Sequence, residues 1–153
     1  MNKITPFLWF DDQAEEAMKF YLSVFANSKV IEVSRGPNGK ASSVRFELEG
    51  QQIMGLNAGP EFKFTEAISF FVSCRDQREV DELWSKLLAG GGEGSCGWIK
   101  DRFGLWWQII PTALGELMGD PDPVKAKRVV DAMLKMKKID VAGLRRAYEG
   151  RPT

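Results

Sequence analysis

The most constraining feature of this chain is an order of elements that occurs twice. Each half reads as strand, helix, then two or three strands, although the residue identity between halves is slight. In the first half, Ile4 to Phe10 is an apolar run with strand character, and Pro6 inside it points to a sheet edge. A helix follows, with Ala14, Ala17, Met18, Tyr21, Leu22 and Phe25 at three- and four-residue spacing. Asp11 or Asp12 is its expected cap, and Glu15 and Glu16 suit the positive end of its dipole. Val30 to Ser34, Ser43 to Leu48 and Gln52 to Asn57 read as strands, separated by Gly36-Pro37-Asn38-Gly39 and Glu49-Gly50-Gln51 turns. Ala58 to Thr65 is a loop.

The order then restarts. Ala67 to Cys74 is a strand, and Asp76 caps a helix striped by Val80, Leu83, Trp84, Leu87 and Leu88. Ala89 to Gly94 reads as a flexible connection. Ser95 to Lys100 and Leu105 to Ile110 are strands joined by an Asp-Arg-Phe-Gly turn at 101–104. Such repeated units predict an α+β fold, a curved and mainly antiparallel sheet with helices on its outer side. After Pro111 the pattern is helical: Thr112 to Met118, then Val124 to Lys137 with Asp122 as N-cap and Pro123 at the first position, then a helix from Asp140 to about Tyr148. This tail is expected to pack on the sheet or on a second subunit.

The totals exclude several function classes. Lysine plus arginine and aspartate plus glutamate are 21 each, which argues against nucleic acid and anionic membrane partners. No run reaches the ~18 apolar residues of a membrane span. The N-terminal MNKITPFLWF lacks the long apolar region and small-residue site of a secretory signal, so a cytoplasmic location is expected. Cys74 and Cys96 are then expected to be free thiols. Histidine is absent, which removes the commonest metal ligand and general base together.

The densest stretch is Cys96 to Pro111, CGWIKDRFGLWWQIIP, with three of the five tryptophans. Gln108 is the lone polar side chain in its second arm and needs partners if buried. Trp98, Trp106 and Trp107 could stack on a planar ligand, though core or dimer-interface packing is the commoner use of such density. Cys96 has Lys100 and Arg102 nearby, yet lacks a histidine base, and packing is its favoured role. Asp101 lies on the turn as a solvated pair or cap, with orientation of a ligand donor as the alternative.

FLWFDDQAEEAMKFYLSVF, GLNAGPEFKFTEAISFFV at 55–72, DQREVDELWSKLLAGGGEGSCGWIKDRFGLWWQIIP at 76–111 and DPDPVKAKRVVDAMLKMKKID at 120–140 carry a resemblance. The chain resembles the PhnB-like branch of the vicinal oxygen chelate superfamily, the glyoxalase/bleomycin-resistance/dioxygenase group, whose members are often labelled demethylubiquinone 3-methyltransferase. The resemblance implies paired βαβββ modules at 1–58 and 66–111 within a 1–111 domain, a helical extension over 112–153, and a homodimer. It also implies four ligand positions in metal-using relatives, falling here near Pro6, at Gly55 to Asn57, at about Ser69 and at Gln108. Those residues offer neutral oxygens at most, so no metal is expected and glyoxalase or dioxygenase chemistry is disfavoured.

Gln108, Asn57 and Ser69, with Trp98, Trp106, Cys96 and Asp101, are therefore the expected ligand-binding residues, facing a small apolar or aromatic molecule. No catalytic residue is assigned and no cofactor is expected from the residues. S-adenosylmethionine enters only through the family label, since Gly90 to Gly94 follows a helix and is not GxGxxG. The leading expectation is a metal-independent small-molecule-binding protein. The alternatives are a methyltransferase-like enzyme on a quinone or aromatic substrate, and a dimeric interaction domain.

Overall fold

The computed structural model of the chain describes residues 2–152; Met1 and Thr153, the outer ends of the expected domain and tail, lie outside. The chain divides into two compact units between Phe64 and Thr65. Both have the same plan, with the element order read from the sequence.

In the first unit, β1 (Phe7–Phe10), α1 (Ala14–Val24), β2 (Ser28–Arg35), β3 (Ala41–Leu48) and β4 (Gln51–Asn57) form a sheet of order β1-β4-β3-β2 under one helix. β1 runs parallel to β4, and the other two pairings are antiparallel. Pro6 precedes an edge strand, where its missing N–H costs no ladder bond. One face is covered: Leu8, Phe10, Val44, Phe46 and Ile53 are buried, as are Ala14, Ala17, Met18 and Tyr21 of α1. The hairpin turn uses positive φ at Glu49 and Gly50, as a tight two-residue connection between twisted strands requires.

The cap of α1 differs from expectation. The N-cap residue is Gln13, and neither its side chain nor the preceding aspartates bond the first turn. Asn57 Oδ1 instead accepts from Ala14 N at 2.9 Å, from the far end of β4. Asp11 and Asp12 lie in the bend before the helix and are exposed.

The second unit repeats the plan with β5 (Ser69–Cys74), α2 (Gln77–Leu88), β6 (Gly92–Glu93), β7 (Trp98–Lys100) and β8 (Trp106–Pro111), in the order β5-β8-β7-β6. Asp76 caps α2 as expected, accepting from Glu79 N at 2.9 Å. The glycine run is not a free connection, for Gly92 and Glu93 pair with Lys100 and Ile99. A Cβ at Gly91 would lie 2.1 Å from Lys100 O, and one at Gly94 would lie 2.9 Å from Trp98 O. The glycines allow close backbone approach, which is a different use from flexibility.

The tail belongs to the second unit. It comprises α3 (Thr112–Met118), α4 (Pro123–Met133) and α5 (Val141–Tyr148). Asp122 caps α4 with Pro123 at its first turn, as the sequence indicates. α4 stops at Met133, four residues short of expectation, and the chain then turns so that Ile139 is fully buried. Ile110, Leu114, Val129, Ile139 and Leu144 form one apolar cluster. Gln77 of α2 holds the same segment with both amide atoms, donating to Ile139 O at 2.9 Å and accepting from Val141 N at 2.7 Å.

Candidate functional site

Strand pleating sorts the side chains of the second sheet. Phe70, Trp107 and Ile109 alternate with Ser69, Phe71, Trp106 and Gln108 along their strands, and Trp107, Ile99, Ile109 and Cys74 are buried together with Val80, Leu83, Trp84 and Leu87 of α2. The other set therefore lies on the face away from α2. Register aligns Ser69 with Trp106, Phe71 with Gln108, and Trp98 with Gln108. Side chains at paired positions share a face. Four of the expected site residues, Ser69, Gln108, Trp98 and Trp106, thus come together on one surface within one sheet.

Its centre is a polar pair in an aromatic frame. Gln108 Nε2 donates to Ser69 Oγ at 2.9 Å. The Trp98 and Trp106 rings meet edge to face with centroids 6.3 Å apart. Gly94 makes this possible, because a Cβ there would come within 3.0 Å of Trp106 Cζ3 and 3.1 Å of Trp98 Cβ. Phe71 stands beside Gln108 and is 59% exposed. Sequence reading passed over Phe71; its signal is the alternation Ser69, Phe71, Ser73, hidden by the continuous apolar run Phe70-Phe71-Val72. The surface offers aromatic area with the Ser69 hydroxyl and the Gln108 amide at its centre, Lys100 at its rim and the exposed Ser73 further along β5.

Three expected residues are elsewhere. Asn57 belongs to the first unit and to the helix-bearing side of that sheet. A Cβ at Gly55, two residues before it, would touch Phe10 and Val44, and the Asn57 amide is used at both ends, on Ala14 N and on Ala41 O at 3.0 Å. Asp101 is a correction of another kind, since it is only 2% exposed rather than solvated. Its Oδ1 accepts from Phe103 N at 2.8 Å and Leu105 N at 3.1 Å, and its Oδ2 accepts from Trp107 Nε1 at 2.9 Å. It fixes the turn and, through Trp107, the strand on which Trp106 and Gln108 stand. Cys96 sits in the turn before β7 at φ +58, and its N–H donates to Met136 O at 2.8 Å. Neither thiol is in a disulfide, and burial pushes the Cys74 thiol up to about 12, which leaves it a packing group.

The comparisons with known proteins agree with this architecture. The model of the 3-demethylubiquinone-9 3-methyltransferase family matches residues 2–110. The chain belongs to this family. Its PhnB-like character also appears in a solved structure described as a putative 3-demethylubiquinone-9 3-methyltransferase, PhnB protein, from Bacillus cereus. The two are 33% identical, with a TM-score of 0.68 over 72% of this chain and 99% of that one. A protein from Pseudomonas aeruginosa shares the fold at 17% identity and TM-score 0.62, covering 72% of this chain and 98% of its own. The fosfomycin resistance protein FosX from Listeria monocytogenes, solved with Mn(II), shares it at 17% identity and TM-score 0.53, over 70% of this chain and 90% of that one. A search of curated proteins gave no match. The PhnB-like fold thus places the chain in the vicinal oxygen chelate superfamily. The tail lies beyond the residues that the family model matches.

A divalent ion of the kind held by FosX is a poor fit to the donors on the open face of the second sheet. At its centre these are a hydroxyl and an amide already bonded to each other, with the Ser73 hydroxyl further along β5, and neutral oxygens bind transition ions weakly without imidazole, thiolate or carboxylate. Among the described residues, no three His, Cys, Asp or Glu side chains group closely enough to hold a metal. No helix among them is long and apolar enough to cross a membrane.

Proposed function

We propose that this protein binds a small apolar or aromatic molecule without a metal, on the open face of the second sheet. The observation that carries this reading is the Ser69–Gln108 pair framed by Trp98, Trp106 and Phe71. Aromatic faces supply contact area, and a few placed polar groups fix orientation, which is the usual composition of a small-ligand site. The Ser69 hydroxyl and the Gln108 carbonyl can together donate to and accept from one polar substituent of the ligand. The protein acts as a cytoplasmic homodimer and takes no nucleic acid or membrane partner in this reading.

A second reading is methyl transfer to a quinone or aromatic substrate, and the description of the matching family favours it. It requires S-adenosylmethionine. The two readings separate by calorimetry. Binding of an aromatic probe such as a short-chain quinone, with no heat from S-adenosylmethionine, supports the first. Saturable S-adenosylmethionine binding supports the second. Native mass spectrometry of protein taken from cells would show any retained ligand together with the subunit count. Stoichiometric transition metal in the purified protein would overturn the metal-independent reading.

A further inference from the structure

The tail carries a feature that the sheet site does not use. Between α4 and α5 lies a groove of about 470 Å³, lined by Arg128, Lys135, Arg146 and Arg151 against only two carboxylates, Asp131 and Asp140. We propose that this groove is a second binding site, taking a small molecule that carries two or more phosphate or carboxylate groups.

Arg128 is the centre of the proposal. Its guanidinium donates to Tyr148 O at 2.7 Å. No carboxylate of the described residues pairs with it, and its Nε is buried without an acceptor. A buried donor without an acceptor is destabilising, so this group has unmet capacity for an acceptor. Lys135 likewise has no ion partner among the described residues. Arg146 stands 3.8 Å from Asp140, a loose and half-exposed pair that an incoming anion can displace. Asp131 is already engaged by Lys127 at 2.7 Å and Arg151 by Glu149. The local balance left over is cationic.

Small residues keep the groove open. Gly143, Ala147 and Gly150 line it from α5 and its end. A Cβ at Gly150 would lie 3.2 Å from Arg128 Nη1, on a backbone at φ +75, and one at Gly143 would lie 3.0 Å from Met136 Cε. Guanidinium forks match phosphate and carboxylate oxygens two at a time, so several arginines at one groove select for multiply charged anions. The groove also lies outside the family-matched residues, so it is independent of the sheet site.

The test is calorimetric titration of the intact protein with inorganic pyrophosphate and, separately, with citrate, at fixed ionic strength. One saturable event per chain is expected for one or both probes, and which one binds separates phosphate from carboxylate chemistry. Arg128→Gln should weaken binding about tenfold, and Lys135→Gln roughly threefold. Asp140→Asn should tighten it. Because Arg128 also holds Tyr148, Arg146→Gln serves as an independent variant on the groove's exposed side. Circular dichroism melts check that each variant folds. No saturable heat from either probe beyond that of sodium chloride, or an affinity unmoved by both Arg146→Gln and Lys135→Gln, would overturn the proposal.

Discussion

The last strand of each module ends opposite its first, Asn57 against Phe10 and Pro111 against Cys74, and the two ends do different work. In the first module the end residue reaches back to cap α1. In the second, α2 has its own cap in Asp76, and the strand end is free to launch the tail. Three residues earlier the contrast repeats. Met54 faces Phe7 in one module and Gln108 faces Phe71 in the other. Both phenylalanines are exposed, at 55% and 59%. Around Met54 the nearby polar contact is Arg45 Nη2 to the sulfur at 3.8 Å; around Gln108 it is the serine hydroxyl. The duplication has kept the backbone plan and the aromatic position while the polar chemistry diverged. That difference is why the second sheet is the better ligand surface.

The largest effect should come from the hairpin turns. The first turn is held by backbone conformation at Glu49 and Gly50, the second by the Asp101 carboxylate. Asp101→Ala leaves three N–H donors without their acceptor, two of them backbone, and should cost roughly 4 kcal/mol or more in urea unfolding. Removing the Glu49 side chain with Glu49→Gly should change stability by less than about 1 kcal/mol. Equal losses at the two turns would break the contrast.

Gly97 tests how firmly the tail is tied to its module. It has φ +85, donates to Lys137 O at 2.7 Å, and a Cβ there would come within 2.7 Å of Ile110 Cδ1. Gly97→Ala should destabilise by about 2–4 kcal/mol, with faster hydrogen exchange at Ile139 and Leu144 as the local sign. Next come the helix caps. Asn57→Ala and Asp76→Ala should each cost ~1–2 kcal/mol by thermal or urea unfolding, because each removes an acceptor from a helix N-terminus. Gln108→Met gives the second module the residue of the first. It should move stability by no more than about 1 kcal/mol, yet weaken binding of the aromatic probe about tenfold by removing its polar anchor.

The smallest expected effect is a pH dependence confined to the tail. Tyr148 Oη donates to Asp120 Oδ2 at 2.7 Å. That bond holds the phenol above its ordinary value of 10.0. The Asp120 carboxyl is held low, first by the Asp122 backbone N–H and then by the phenol. A raised phenol stabilises the fold fully below the unfolded value, and this contribution is lost as pH rises through the folded one. The lowered carboxyl contributes above its unfolded value, and that contribution is lost as pH falls through its folded one. Tyr148→Phe should therefore narrow its difference in Tm from the parent at both ends, as pH climbs beyond 10 and as pH falls through the lowered Asp120 value. A difference unchanged across that range would show that the bond adds nothing.

Local chemistry explains which features were legible. Asp76 and Asp122 cap helices that begin one residue later, so short-range pattern finds them. Asn57 caps a helix 43 residues away, and no window along the chain reveals that. Asp101 was visible as a turn residue, but its burial depends on the Trp107 indole folding back onto it. The run Gly90 to Gly94 has the composition of a loose connection, and its contact with the carbonyls of Lys100 and Trp98 exists only after β7 has docked.

By itself the sequence determined the duplicated order of strands and helices, the tail's helices and the family, because periodicity, caps and turn residues act over a few neighbours. It also established that no histidine is available to any site. Only the tertiary structure decided which face Gln108 takes and that Ser69, Trp98 and Trp106 share it. A shift of one residue in strand register would have turned that whole set toward α2, and register is set by pairing between strands far apart in the chain.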